Sequence, residues 1–217
     1  MDVTQENIEK ENMVSEKFFE EENNIVFILD RSGSMYRQTE DTIGGYNSFI
    51  EEEKEKGRNT YVTTVLFDDQ FELLTDHQHI SEVKELTSNE YYTRGTTALL
   101  DAIGKTISTV AAKAKGKTLF VITTDGHENA SREYKKSDIK KMIESHSDFE
   151  FMYIGASIDS YAEASQLGLR HSNIANRSND GDGMRKMYKS VRLAREEYLH
   201  NDTISDIWKK DLEDFEE

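Results

Sequence analysis

The stretch IVFILDRSGSM, residues 25–35, decides the architecture. Ile25–Leu29 is an unbroken apolar run, too short for an amphipathic helix and without the alternation of a half-exposed strand. It reads as a strand buried on both faces, which requires a sheet covered on both sides. Asp30 ends the run, and the small polar residues after it form a loop. A second run of the same kind, Thr118–Thr124 (TLFVITT), also ends in an aspartate, Asp125. Two buried strands that each stop at a carboxylate predict a crevice at the carboxyl ends of a parallel sheet.

Working outward, Tyr46, Phe49 and Ile50 open a helix that runs through EEEKEK to Gly57. Tyr61–Phe67 is a strand, Asp68-Asp69 a turn, and Phe71–Leu74 the returning arm of a hairpin. Glu82–Leu86 is expected as a short helix, followed by the loop YYTRGTT and a long helix from Ala98 to about Lys115, closed by Gly116. Beyond Asp125, Ser137 is expected to cap a helix over Asp138–Ser145. Phe149–Ile154 is a strand, Gly155 leads to a helix around Tyr161–Leu167, and a weak last strand lies near His171–Ala175. After the turn-rich RSNDGDG, Asp182 or a neighbour caps a final helix from Met184 to about Leu199. The alternation predicts an α/β fold, Rossmann-like and doubly wound, with a mostly parallel central sheet, one antiparallel edge strand and helices on both faces.

The 217 residues carry a net charge of −16 and contain no cysteine and no proline. Without cysteine there are no disulfides, thiolate metal sites or cysteine nucleophiles. The charge is uneven. Residues 1–24 hold eight acids and two bases, and residues 196–217 hold nine acids and two bases, which leaves the body at −3. The expected organisation is an acidic N-terminal arm (1–23), one domain (24–200) and an acidic C-terminal arm (201–217), the arms being solvated. Ile204, Ile207, Trp208 and Phe215 give the second arm the spacing of a short docked helix as the other reading. The acidity argues against nucleic-acid and anionic-membrane partners. No apolar run approaches a bilayer span and the N-terminus has no leader pattern, so a cytoplasmic protein is expected.

The polar residues at the two strand ends form a chemical set. Asp30, Ser32 and Ser34 alternate, so an extended turn points them the same way, and Gly33 lets the backbone bend between the serines. Gly95-Thr96-Thr97 opens the helix that starts near Ala98, and Asp125 closes the set. Two carboxylates with hydroxyls from Ser32, Ser34 and Thr97 suit a hard divalent cation, Mg²⁺ first with Mn²⁺ or Ca²⁺ as substitutes, and suit zinc or copper poorly.

DRSGSM after a buried strand, RGTT opening a helix, and TTDG after a second buried strand together resemble the von Willebrand factor A domain over roughly residues 24–200. The similarity is greatest to the short stand-alone intracellular members found in bacteria and their phages. The resemblance implies a metal-ion-dependent adhesion site with Asp30, Ser32, Ser34, Thr97 and Asp125 as metal residues, Asp125 often acting through water. It also implies a protein partner that supplies an Asp or Glu to the metal. The alternatives are a metal-dependent hydrolase in the same crevice, using His127 and Glu128, and an adaptor subunit of an ATPase machine.

Other signals carry less. His77-x-His79 lacks a third ligand, and Asp180-Gly181-Asp182-Gly183 lacks the glutamate that a calcium loop needs. Gly104-Lys105-Thr106 lacks the first glycine of a phosphate loop. Arg185, Lys186, Lys189, Arg192 and Arg195 form a basic strip on the last helix, expected to be a solvated face, with the resting place of an acidic arm or a contact for an acidic partner as the other readings. The oligomeric state is not legible.

Overall fold

Strand β1, Asn23–Asp30, is buried along its whole length, and its side chains sort by parity. Ile25, Phe27 and Leu29 join one apolar core, whereas Val26 and Ile28 join another on the opposite face. That is the period-two division expected of a strand covered on both sides. In the computed structural model, which describes residues 21–156 and 160–214, β1 is followed by a 3₁₀ turn, Gly33–Gln38, that runs into α1, Thr39–Glu55. β2 (Thr60–Phe67) and β3 (Phe71–His79) make the hairpin. Then come α2 (Leu99–Ala111), β4 (Lys117–Thr124), α3 (Lys136–Ser145), β5 (Phe149–Gly155), α4 (Ser160–Gln166) and β6 (Ile174–Asn176). α5 (Gly181–Asn201), a 3₁₀ turn (Asp206–Lys209) and α6 (Lys210–Glu213) are the last elements of the described residues.

The sheet order is β3-β2-β1-β4-β5-β6, parallel except for β3 at one edge. The doubly wound α/β class read from the sequence is the observed fold. On one face α1 and α5 cover the sheet, with Phe27 edge-on to Tyr46 and Phe49 at centroid distances of 5.4 and 5.2 Å. On the other face α2, α3 and α4 close over Phe120, Ile122 and Tyr153.

Several local expectations are corrected. Glu82–Leu86 is not a helix: a 3₁₀ turn covers Ile80–Glu82, and extended chain follows. Ile80, Val83 and Leu86 are all buried, and that spacing of three imitates a helical face. The segment is pinned instead by Asn47, whose side chain accepts from Leu86 N–H at 2.7 Å and donates to its carbonyl at 2.9 Å. α3 begins two residues earlier than a Ser137 cap requires, with Lys135 at the N-cap, where Asp138 accepts the Lys135 N–H at 3.0 Å. Asp180 rather than Asp182 caps α5, accepting from Gly183 N–H at 2.8 Å. His77 and His79 both pack on the ring of Tyr61.

The N-terminal arm lies outside the described residues apart from residues 21–23. The C-terminal segment, through Asp214, is not a solvated arm. Ile204, Trp208 and Leu212 are buried in the core shared with α5. Trp208 donates to the Ser172 carbonyl at 2.9 Å, and the buried Lys209 ammonium donates to the His171 and Ile174 carbonyls. Nor is the strip on α5 wholly solvated. Arg195 is fully buried against Glu53 at 3.0 Å, and Lys189 pairs with Asp211 of the C-terminal segment at 2.8 Å.

Candidate metal centre

Register places the candidate residues side by side. β1 and β4 pair in parallel with Leu29 opposite Thr123, so Asp30 falls beside Thr124. Thr124 Oγ1 donates to Asp30 Oδ2 at 2.5 Å, and the Ser32 amide donates to Asp30 Oδ1 at 2.7 Å. Asp30 is fully buried, and no cationic side chain among the described residues bonds to it. Burial pushes its carboxyl up to about 6; the hydrogen bonds from Thr124 and Ser32 act against the shift, and the neighbouring Asp125 adds to it.

The loop after β1 brings Ser32 and Ser34 together, Oγ to Oγ at 3.2 Å, and Ser34 donates to Asp125 Oδ1 at 2.5 Å. Thr97 is buried at the start of α2 while Thr96 is exposed. Thr97 is held through its amide by Asn129 Oδ1 at 3.0 Å, and its carbonyl accepts from Asn129 N–H at 3.0 Å. Gly126 reports the convergence. A Cβ there would stand 3.0 Å from Thr97 Oγ1, 3.5 Å from Ser34 Oγ and 3.9 Å from Ser32 Oγ. Three hydroxyls from two loops thus surround one side-chain-free position beside two aspartates.

The loops are tied from behind. Arg31 is buried, donating to Asp68 Oδ2 at 3.0 Å and to the Glu90 carbonyl at 3.2 Å. Arg94 N–H donates to the Arg31 carbonyl at 3.0 Å, and Gly33 N–H to the Gly95 carbonyl at 3.3 Å. Gly95 has a φ of +66°, and a Cβ there would meet Asp69 Oδ1 at 2.3 Å, so this crossing needs glycine. Tyr91 donates its hydroxyl to the Asp30 carbonyl at 2.5 Å. Gln38, also buried, reaches Asp125 Oδ2 at 3.5 Å and Asn179 on the approach to α5. Arg177 is buried nearby; burial lowers its pKa, and the negative charge of Asp125 works against that shift.

Thr124 and Gly126 lie within the motif TTDG, and Asn129 stands just past it. Gln38, Tyr91 and Arg31 had no signal in the sequence, because each acts through contacts distant along the chain. Glu128 does not face the crevice as a base. Its carboxylate accepts from Leu100, Ala130 and Ser131 amides and from the Ser131 hydroxyl at 2.7–3.0 Å, and so caps α2. His127 pairs with Glu163 at 2.8 Å.

No group of three or more His, Asp or Glu side chains among the described residues could hold a metal. The cluster at the strand ends is of another composition, two carboxylates and three hydroxyls. Its all-oxygen chemistry, the cradle that a Cβ at Gly126 would fill, and the buried carboxylate without a cationic partner all fit a hard divalent cation.

The family model for the von Willebrand factor type A domain matches residues 24–190. The chain belongs to that family. Among solved structures, this von Willebrand factor type A domain is similar to the PilB minor pilin from Streptococcus sanguinis, at TM-score 0.66 and 12% identity, covering 83% of this chain and 62% of that one. It is similar to the pilus adhesin SpaC from Lactobacillus rhamnosus GG, also at TM-score 0.66 and 12% identity, over 83% of this chain and 30% of that one. A von Willebrand factor type A protein from Catenulispora acidiphila follows at TM-score 0.58 and 14% identity, over 81% of this chain and 42% of that one. This chain therefore spans less than two thirds of the length of each, and identities this low speak to fold alone. No curated protein matches the sequence. Among the described residues no helix is long and apolar enough to cross a membrane. The pilin and adhesin neighbours lend no support to the cytoplasmic expectation.

Proposed function

We propose that this von Willebrand factor type A domain is a protein-binding module that holds a divalent cation, Mg²⁺ first, and through it a carboxylate of a partner protein. The family's members often mediate protein–protein interactions. The observation that carries the reading is the convergence of the Ser32, Ser34 and Thr97 hydroxyls on Gly126 beside Asp30 and Asp125. These five residues would hold the cation. When bound, it would supply a coordination position that an Asp or Glu oxygen from the partner completes. Asp30 is oriented by Thr124 and Ser32 N–H, so its oxygens are aimed before any ligand arrives. The three hydroxyls bring no formal charge, which leaves the donor set less negative than an all-carboxylate cage and receptive to one more acid.

A non-enzymatic role accords with the engagement of Glu128 at the N-terminus of α2, which occupies one of the two groups that a hydrolase reading would use, the other, His127, being paired with Glu163. Isothermal titration of the metal-free protein with Mg²⁺ is expected to show one site, lost in Asp30→Ala and Ser32→Ala. Wild-type affinity in both variants would sink the assignment. Capture of partners with and without a chelator then tests the second half of the reading.

A further inference from the structure

Four large apolar side chains stand exposed among the described residues, Tyr36, Tyr92, Leu193 and Ile207. The two tyrosines border one groove of about 590 Å³ between the start of α1 and the segment 88–93. Ile43, half buried, and Tyr91, fully buried, line it from beneath, while Tyr36 is 75% exposed and Tyr92 43% exposed. The volume falls within the ~300–1,000 Å³ of sites that enclose ligands and anchoring side chains.

The groove and the candidate metal centre are built on the same two loops. Tyr36 follows Ser34 on the same 3₁₀ turn, Tyr92 precedes Thr97 in the same loop, and Tyr91 is hydrogen-bonded to the carbonyl of Asp30. Tyr92 is also preorganised: the Arg31 and Arg94 guanidinium carbons each lie 5.3 Å from its ring centroid. An exposed aromatic already held in place loses little freedom on binding, and tyrosine with arginine is the composition of energetic centres in protein interfaces. Charge within the groove nearly cancels. Arg37 and Glu40 oppose one another in sign, and Asp41 is matched by Arg185 at 3.5 Å. A lining of that kind selects an apolar group and leaves a ligand's carboxylate to the neighbouring site.

We propose that the groove between Tyr36 and Tyr92 receives a large apolar side chain, aromatic first, within two residues of the partner's cation-bound Asp or Glu. The partner element is then a short acidic–aromatic segment rather than any exposed carboxylate. This inference rests on the carboxylate-binding reading above and adds the specificity that reading lacks.

The test uses blocked peptides as probes, with the sequences Gly-Phe-Glu-Phe-Gly, Phe-Gly-Glu-Gly-Phe and Gly-Gly-Glu-Gly-Gly. Dissociation constants come from NMR titration of the full chain in saturating Mg²⁺ and again in chelator. At least one phenylalanine peptide is expected to bind about tenfold or more tighter than the glycine peptide, the size of effect that burying one aromatic side chain gives. Tyr36→Ala and Tyr92→Ala should each cut that preference below about threefold and leave calorimetric Mg²⁺ binding as in wild type. Chelator-sensitive binding with equal affinity for all three peptides overturns the groove and leaves the carboxylate reading standing. A phenylalanine preference that survives chelation supports the groove and refutes the cation. No binding of any peptide under either condition overturns both.

Discussion

Asp30→Asn is expected to stabilise the metal-free protein while destroying its cation site. Burial pushes the Asp30 carboxyl from 3.8 up to about 6, against the hydrogen bonds from Thr124 and Ser32 and with a further push from Asp125. Two units of pKa correspond to about 3 kcal/mol spent holding the side chain ionised at pH 7. Asparagine removes that cost but keeps a single oxygen for two donors, Ser32 N–H and Thr124 Oγ1. The Thr124 hydroxyl can turn to accept from the new amide, since it also has the Gly126 carbonyl to donate to at 3.1 Å. With about 1–2 kcal/mol deducted for the weaker hydrogen bonding, a net gain of about 1–2 kcal/mol remains.

The pH dependence follows from the sign of the shift. A folded-state pKa above the unfolded value contributes stability that is complete below about 3.8 and is lost as pH rises through about 6. The variant should therefore be about 1–2 kcal/mol less stable than wild type at the acid end, and its relative stability should rise by about 3 kcal/mol as pH passes through those values. Urea denaturation in chelator, from mildly acid to neutral pH, measures it. Added Mg²⁺ should then stabilise the wild type by mass action and leave Asp30→Asn unmoved. A variant less stable than wild type at pH 7, or a gap independent of pH, would refute the reasoning.

Gly126→Ala puts a methyl 3.0 Å from Thr97 Oγ1; Mg²⁺ affinity by calorimetry should fall about tenfold or more, with stability within about 1 kcal/mol of wild type, and unchanged affinity would deny the cradle its role. In α1, Gly44→Ala meets nothing within 4 Å and should stabilise by about 0.5–1 kcal/mol, whereas Gly45→Ala meets Tyr188 Cδ2 at 2.2 Å and should destabilise by about 1–2 kcal/mol net. Paired thermal melts decide that contrast, and equal shifts would mean that the contact between α1 and α5 yields freely. Trp208→Ala removes a side chain that is 1% exposed and should cost about 3–5 kcal/mol in denaturant unfolding; a loss under about 1 kcal/mol would return the C-terminal segment to the status of a loose arm.

Much of this was legible along the chain. Ile25–Leu29 and Thr118–Thr124 specify strands buried on both faces because the consecutive apolar side chains of Ile25–Leu29 and Leu119–Ile122 leave no face for water, and helices must then cover both sides. The spacing of Asp30, Ser32 and Ser34, and the polar loops at Thr97 and Asp125, are local properties that a sequence states directly. The C-terminal segment misled because its acids dominate its composition, whereas Ile204 and Trp208, visible as apolar spacing, become anchors only against a core that the segment does not itself contain. Three apolar residues, Ile204, Trp208 and Leu212, outweigh those acids once a core is there to receive them. Ile80, Val83 and Leu86 misled because burial at intervals of three looks alike in a helix and in a chain pinned by Asn47.

Tertiary structure alone decided which groups meet. Gln38 against Asp125, Tyr91 under Asp30, Glu128 at the head of α2 and the groove between Tyr36 and Tyr92 join residues tens of positions apart. The types of side chain fit for a cation were written in the sequence, because chemistry belongs to single residues. Their convergence on Gly126, and what stands beside it, come from strand register and loop closure, which no single segment carries.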